Sequence, residues 1–181
     1  VVSDPDSLFE LLEANRQRRL PPVARWNPPR SGPSGMRIAA DGTWFYRGSA
    51  IRRPEMVRLF STVLRRDDDR YVLVTPVECL SIEVDDAPFV AVDVESRGSG
   101  AEQRLAFLTN VGDVVEANAE HPIAVRGEGL RVRPYVVVRD HLDALIARAA
   151  YYRLAELGCL GPSGLIGVWS AGTFFALEHA A

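Results

Sequence analysis

The chain has 181 residues, is 47% hydrophobic and 25% charged, and carries a formal net charge of -3 at pH 7. That length buries one substantial core or two small ones sharing an interface; the composition excludes disorder, and no apolar run approaches the roughly 20 residues of a membrane helix. The acidic balance excludes broad attraction to nucleic acid, and because every basic residue is arginine, chemistries that need a lysine amine are excluded as well.

Residues 1–6 hold neither a basic stretch nor an apolar signal core, so a cytoplasmic location is expected. Ser3-Asp4-Pro5 reads as a helix start, with capping oxygens before a proline. Leu8, Leu11 and Leu12 supply a short apolar stripe, and Pro21-Pro22 ends it. Residues 27–35 (NPPRSGPSG) read as a loop or linker. Met36, Ile38 and Ala40 alternate toward Asp41-Gly42, the dipeptide suited to a type I′ hairpin turn, and residues 43–47 return as a strand. Pro54 opens the clearest helix: Met56, Leu59, Phe60, Val63 and Leu64 fall at helical spacing, predict one stripe facing a core, and stop at Asp67-Asp68-Asp69.

Strands are predicted at residues 71–75, 77–84, 88–94, 104–109, 114–117 and 134–138, with a turn at 110–113. Asp140 is expected to cap a second amphipathic helix through Leu142, Leu145, Ile146, Ala149 and Tyr152, stopped by Gly158. A hairpin around Ser170-Ala171-Gly172 closes the chain. The halves rhyme, each with a hairpin, a helix and further strands. The expected fold is therefore α+β: two similar small units of antiparallel strands, each packed with a helix, plus an N-terminal helix. The divisions fall at residues 1–26 (helix and arm), 27–99 (first unit) and 100–181 (second unit).

With these segments in view, the chain resembles the bacterial family known as domain of unknown function 1285. The resemblance rests on IAADGTWFYRGSAIRRPEMVRLFSTVLRRDDDRYVLVTPVE at 38–78, DDAPFVAV at 85–92, TNVGD at 109–113, HPI at 121–123, RPYVVVR at 133–139 and GVWSAGTFF at 167–175. It covers nearly everything from Met36 onward. It implies an α+β fold with repeated structural elements and an association with signal transduction, and it implies no activity.

The densest polar and aromatic cluster is Asp41, Trp44, Tyr46, Arg47, Arg52, Arg53, Glu55 and Arg58. Aromatic faces beside guanidinium forks suit a planar or anionic ligand, and the helix start at Pro54 adds free N–H groups. The plainer reading is a turn, sheet packing and solvated arginines. Glu78 shares a predicted strand face with Leu80, Ile82 and Val84; such an acid wants an arginine partner or a raised pKa. A hydrolase triad around Ser170 lacks the nucleophile-elbow pattern, and His121, His141 and His179 sit in a loop, a predicted helix start and a tail. No metal-ligand spacing is present, and no cofactor is expected. Cys79 and Cys159 form no ligand or redox pair and are expected as buried or half-buried thiols.

Three readings follow. The first is a non-enzymatic binding or regulatory module for a small anionic or aromatic ligand or a protein partner. The second is an enzyme of unassigned class, a hydrolase among the options, using Glu78 or Asp41 as acid or base. The third is a homo-oligomer paired through exposed sheet edges. Nucleic acid and membrane are not expected as partners.

Overall fold

The computed structural model describes residues 7–16, 19–127 and 132–178. The helix start expected at Ser3-Asp4-Pro5 lies outside them, and the N-terminal helix α1 is seen over Leu8–Arg16. It lays Leu8, Phe9 and Leu12 against Ala106 and Val114, and the guanidinium groups of Arg97 and Arg104 cover the Phe9 ring.

The first sheet comprises β1 (Arg30–Ile38), β2 (Trp44–Tyr46), β3 (Ser49–Ala50), β4 (Leu64–Asp67), β5 (Arg70–Val74) and β6 (Glu78–Val84), in the order β3-β2-β1-β6-β5-β4. Helix α2 (Pro54–Thr62) connects β3 to β4. The second sheet comprises β7 (Phe89–Arg97), β8 (Arg104–Thr109), β9 (Val114–Glu116), β10 (Ile123–Arg126), β11 (Arg133–Arg139) and β12 (Leu142–Ile146), in the order β10-β11-β12-β7-β8-β9. In each sheet the first and last strands lie parallel at the centre, and the other pairs are antiparallel. The α+β fold with two similar units and an N-terminal helix is therefore present. Helix α3 (Arg148–Glu156) and a small sheet of β13 (Cys159–Leu160), β14 (Ile166–Ser170) and β15 (Thr173–Ala176) complete it. One apolar core runs from Ile38, Trp44 and Leu64 through Phe89, Phe107 and Val136 to Val168 and Phe175.

Five local expectations are corrected. Residues 27–35 are not all loop, because β1 starts at Arg30. Its first residues pair only with β6, so Pro33 sits where one side needs no ladder hydrogen bond. The register breaks after Pro33, and there the Ser34 hydroxyl donates to the Ser81 carbonyl at 2.7 Å and accepts the Met36 N–H at 3.0 Å. The turn at Asp41-Gly42 is not type I′: only Gly42 has positive φ, 84°, and its N–H bonds the Ala39 carbonyl at 2.9 Å, the form of a three-residue loop with a glycine bulge.

Helix α2 faces differently from its predicted stripe. It ends at Thr62, so Leu64 is a strand residue held by pairing with Leu73. Val57, Phe60 and Ser61 turn inward, while Met56 and Leu59 are 40% and 64% exposed. Ser61 tolerates burial because its hydroxyl donates to the Arg58 carbonyl at 2.7 Å. Leu142–Ile146 is a strand, not a helix. It is paired on both sides and buried on both faces, a condition that erases strand alternation in the sequence. Asp140 and His141, at φ 43° and 62°, form the two-residue hairpin turn before it. Cys79 is half-buried as expected, but Cys159 is exposed. Among the described residues no helix is long and apolar enough to cross a membrane.

Candidate ligand-binding cleft

Strand alternation puts Ser34 and Met36 of β1, Trp44 and Tyr46 of β2, Leu73 of β5 with the adjoining Thr75, and Glu78 and Leu80 of β6 on one face of the first sheet. Helix α2 lies over that face. Pro54 occupies its first turn, where the missing N–H costs nothing, and Arg53 enters it in an extended conformation. The Phe60 ring stacks on Trp44, with centroids 6.4 Å apart and planes 18° apart. The contact props one side of the helix against the sheet.

Where the helix lifts away, a cleft of about 450 Å³ opens between the two layers. Met56 and Phe60 wall it from the helix, Val63 from the residue that follows the helix, and Met36, Leu73 and Leu80 from the sheet. Its polar lining is Ser34, Tyr46, Thr75 and Glu78. The first and third of these are occupied by the backbone: Ser34 as described, and Thr75 through its hydroxyl oxygen, which accepts the Glu78 N–H at 3.1 Å. The Tyr46 hydroxyl and the Glu78 carboxylate have no hydrogen-bond or ion-pair partner among the described residues. Arg30 stands opposite Glu78 in the β1–β6 register, yet no salt bridge joins them among the described residues.

The cluster singled out in the sequence divides. Tyr46 and Glu78 line the cleft, and Arg47 stacks over the Tyr46 ring at 5.2 Å. Trp44 is a core residue, 1% exposed, with its Nε1 unpaired. Asp41 sits at the hairpin turn, where the Thr43 N–H donates to its carboxylate at 2.9 Å and holds its pKa below the usual value. Arg52, Arg53 and Glu55 are exposed around the start of α2 and do not line the cleft. Arg58 lies alongside Gly112 of the second unit. Met36, Met56, Phe60 and Leu80 do not stand out as site residues in the sequence. Their apolar spacing signals burial, and only the gap between the layers turns burial into a lining.

The remaining sequence candidates are structural. Ser170 is fully buried, its hydroxyl donating to the Ala117 carbonyl at 2.6 Å and accepting the Leu105 N–H at 2.9 Å. Asp67 is clamped by two bonds from Arg65 at 2.6 and 2.8 Å, which lower its pKa. Among the described residues no group of acidic, histidine or cysteine side chains is placed to hold a metal. His141 is in a hairpin turn, and His179 lies outside the described residues.

Two family models match the chain. The domain of unknown function (DUF1285), N-terminal domain, spans residues 21–87, and the protein of unknown function (DUF1285), C-terminal domain, spans residues 88–177. Among solved structures, the chain is similar to a DUF1285 family protein from Silicibacter pomeroyi DSS-3, at 50% identity over 96% of each chain and a TM-score of 0.84. It is also similar to a DUF1285 family protein from Shewanella baltica OS155, at 28% identity over 67% of this chain and 91% of that one, with a TM-score of 0.54. No curated protein matches it.

Proposed function

Since the chain belongs to the DUF1285 family, whose function is unknown, we propose that it is a binding module that holds a small ligand with an apolar body between α2 and the first sheet. One observation carries this reading: the cleft, at about 450 Å³, has the size and apolar lining of small-molecule sites and few convergent polar groups. An acid–base enzyme at the same place is less well supported. Asp41 is engaged in its turn, and the Ser34 and Thr75 hydroxyls that share the lining with Glu78 are engaged by backbone. A module of this kind fits a sensory role in signalling, in which occupancy and not turnover is the output.

The test uses N-phenyl-1-naphthylamine, a neutral fluorophore that brightens in apolar surroundings. Bright, saturable emission is expected with the wild type, and its loss in Leu80→Trp, which fills the cleft. A dark probe, or full emission in a folded Leu80→Trp variant, overturns the reading. Leu59 and Val77, 64% and 61% exposed beside cleft residues, favour a second reading in which a partner protein covers the cleft. Leu59→Ser separates the two: the small probe binds unchanged, whereas a partner protein loses a contact.

A further inference from the structure

We propose that the ligand of this cleft is an amphiphilic amine, with its apolar body between α2 and the sheet and its cationic head on Glu78. The inference rests on the cleft being a ligand site and adds the chemistry it selects. Among the described residues that line the cleft, Glu78 is the one that carries a charge. It is half-buried at the start of β6, on the cleft-facing side of the strand with Leu80. The hydroxyl next to it, on Thr75, takes the Glu78 N–H and not the carboxylate.

The cations nearby are otherwise placed. Arg47 lies on the Tyr46 ring, Arg37 pairs with Asp85 at 2.5 Å, and Arg52 and Arg53 lie outside the lining. Arg30, opposite in register, makes no salt bridge with Glu78 among the described residues. A carboxylate against an apolar wall attracts a cation more strongly than one in open water, because less solvent screens the pair. An anionic head brought to the same place is repelled and leaves both charges desolvated.

Three probes with one tail decide it: decylamine, decanol and decanoic acid, each displacing the neutral fluorophore at pH 7 below its micelle threshold. The amine is fully charged there, as a lysine amine is. The expected order is amine, then alcohol, then acid, with at least about a tenfold span in Kd, which corresponds to about 1.4 kcal/mol. Glu78→Gln is expected to bring the Kd of the amine to that of decanol. A folded Glu78→Gln variant that keeps the order overturns the proposal. So does an acid that binds as tightly as the amine, the result if Arg30 swings in to neutralise Glu78. Decanol binding with no preference between heads removes this inference and leaves the cleft as a ligand site. Failure of the fluorophore and all three probes removes both.

Discussion

The Arg139 guanidinium at the end of β11 donates to the Ser61 carbonyl in the last turn of α2 at 2.7 Å, tying the helix that roofs the cleft to the second sheet. The same group pairs with Asp113 and covers the Phe89 ring at 5.0 Å. Both members of the ion pair are largely buried, at 14% and 17% side-chain exposure.

Arg139→Met is expected to destabilise the protein by about 3 kcal/mol, since it removes a largely buried ion pair and the donor to the Ser61 carbonyl together. Urea unfolding measures it. The same variant is expected to weaken fluorophore binding in the cleft, because α2 loses the bond that holds its last turn. An unfolding midpoint equal to the wild type's would show the tie to be dispensable.

The two units also meet at their turns. The Asn110 side chain accepts the Val90 N–H at 3.0 Å and donates to the Gly42 carbonyl at 3.3 Å. A Cβ on Gly42 would fall 2.6 Å from Asn110 Nδ2 and 2.9 Å from Val90 Cγ2, at a φ of 84° that side chains rarely adopt. Gly42→Ala is therefore expected to cost roughly 2–3 kcal/mol. Combined with Asn110→Ala, the losses are expected to be less than additive, since the second change removes the closer of the two clashes and leaves that with Val90; a thermodynamic cycle reads the difference.

Acid sensitivity is expected from Glu116. Two hydrogen bonds from Arg104, at 2.5 and 2.7 Å, hold its carboxyl below the ordinary 4.5 against the opposing effect of burial. A lowered folded-state pKa means that the stabilisation is complete above the unfolded value and is lost as pH falls below it. At pH 7 Glu116→Gln is expected to cost about 1.5 kcal/mol, with the half-exposed Arg104 head limiting the loss. The gap between variant and wild type is expected to close as pH falls from about 4.5 toward the folded-state value. Urea midpoints at several pH values measure it, and a gap constant with pH would contradict the assignment.

Ser170→Ala leaves the buried Leu105 N–H and Ala117 carbonyl without their shared partner, and a loss of about 2 kcal/mol is expected. Thermal unfolding checks this. Hydrolysis of a test ester that disappeared only in this variant would restore the serine as a nucleophile.

Turn chemistry and alternation, both local, are enough to place the Asp41-Gly42 hairpin, the strands β5 to β8, β11 and the closing β14–β15 hairpin. They also single out Tyr46 and Glu78, because an aromatic and an acid stand out on strands that are otherwise apolar on that face. What local pattern could not decide was which neighbour each apolar residue meets. Leu142–Ile146 is apolar enough for either a helix or a strand, and pairing with β7 and β11 settled it. The spacing of Met56, Leu59 and Phe60 defines a stripe around an axis, but the strand that begins at Leu64 set the rotation of α2 and left Met56 on the cleft and Leu59 in solvent. The parallel pairings of β1 with β6 and β7 with β12 join residues some fifty positions apart, beyond the reach of any local period. The cleft belongs to the tertiary structure for the same reason: it is the space left between two layers that the chain visits at different times.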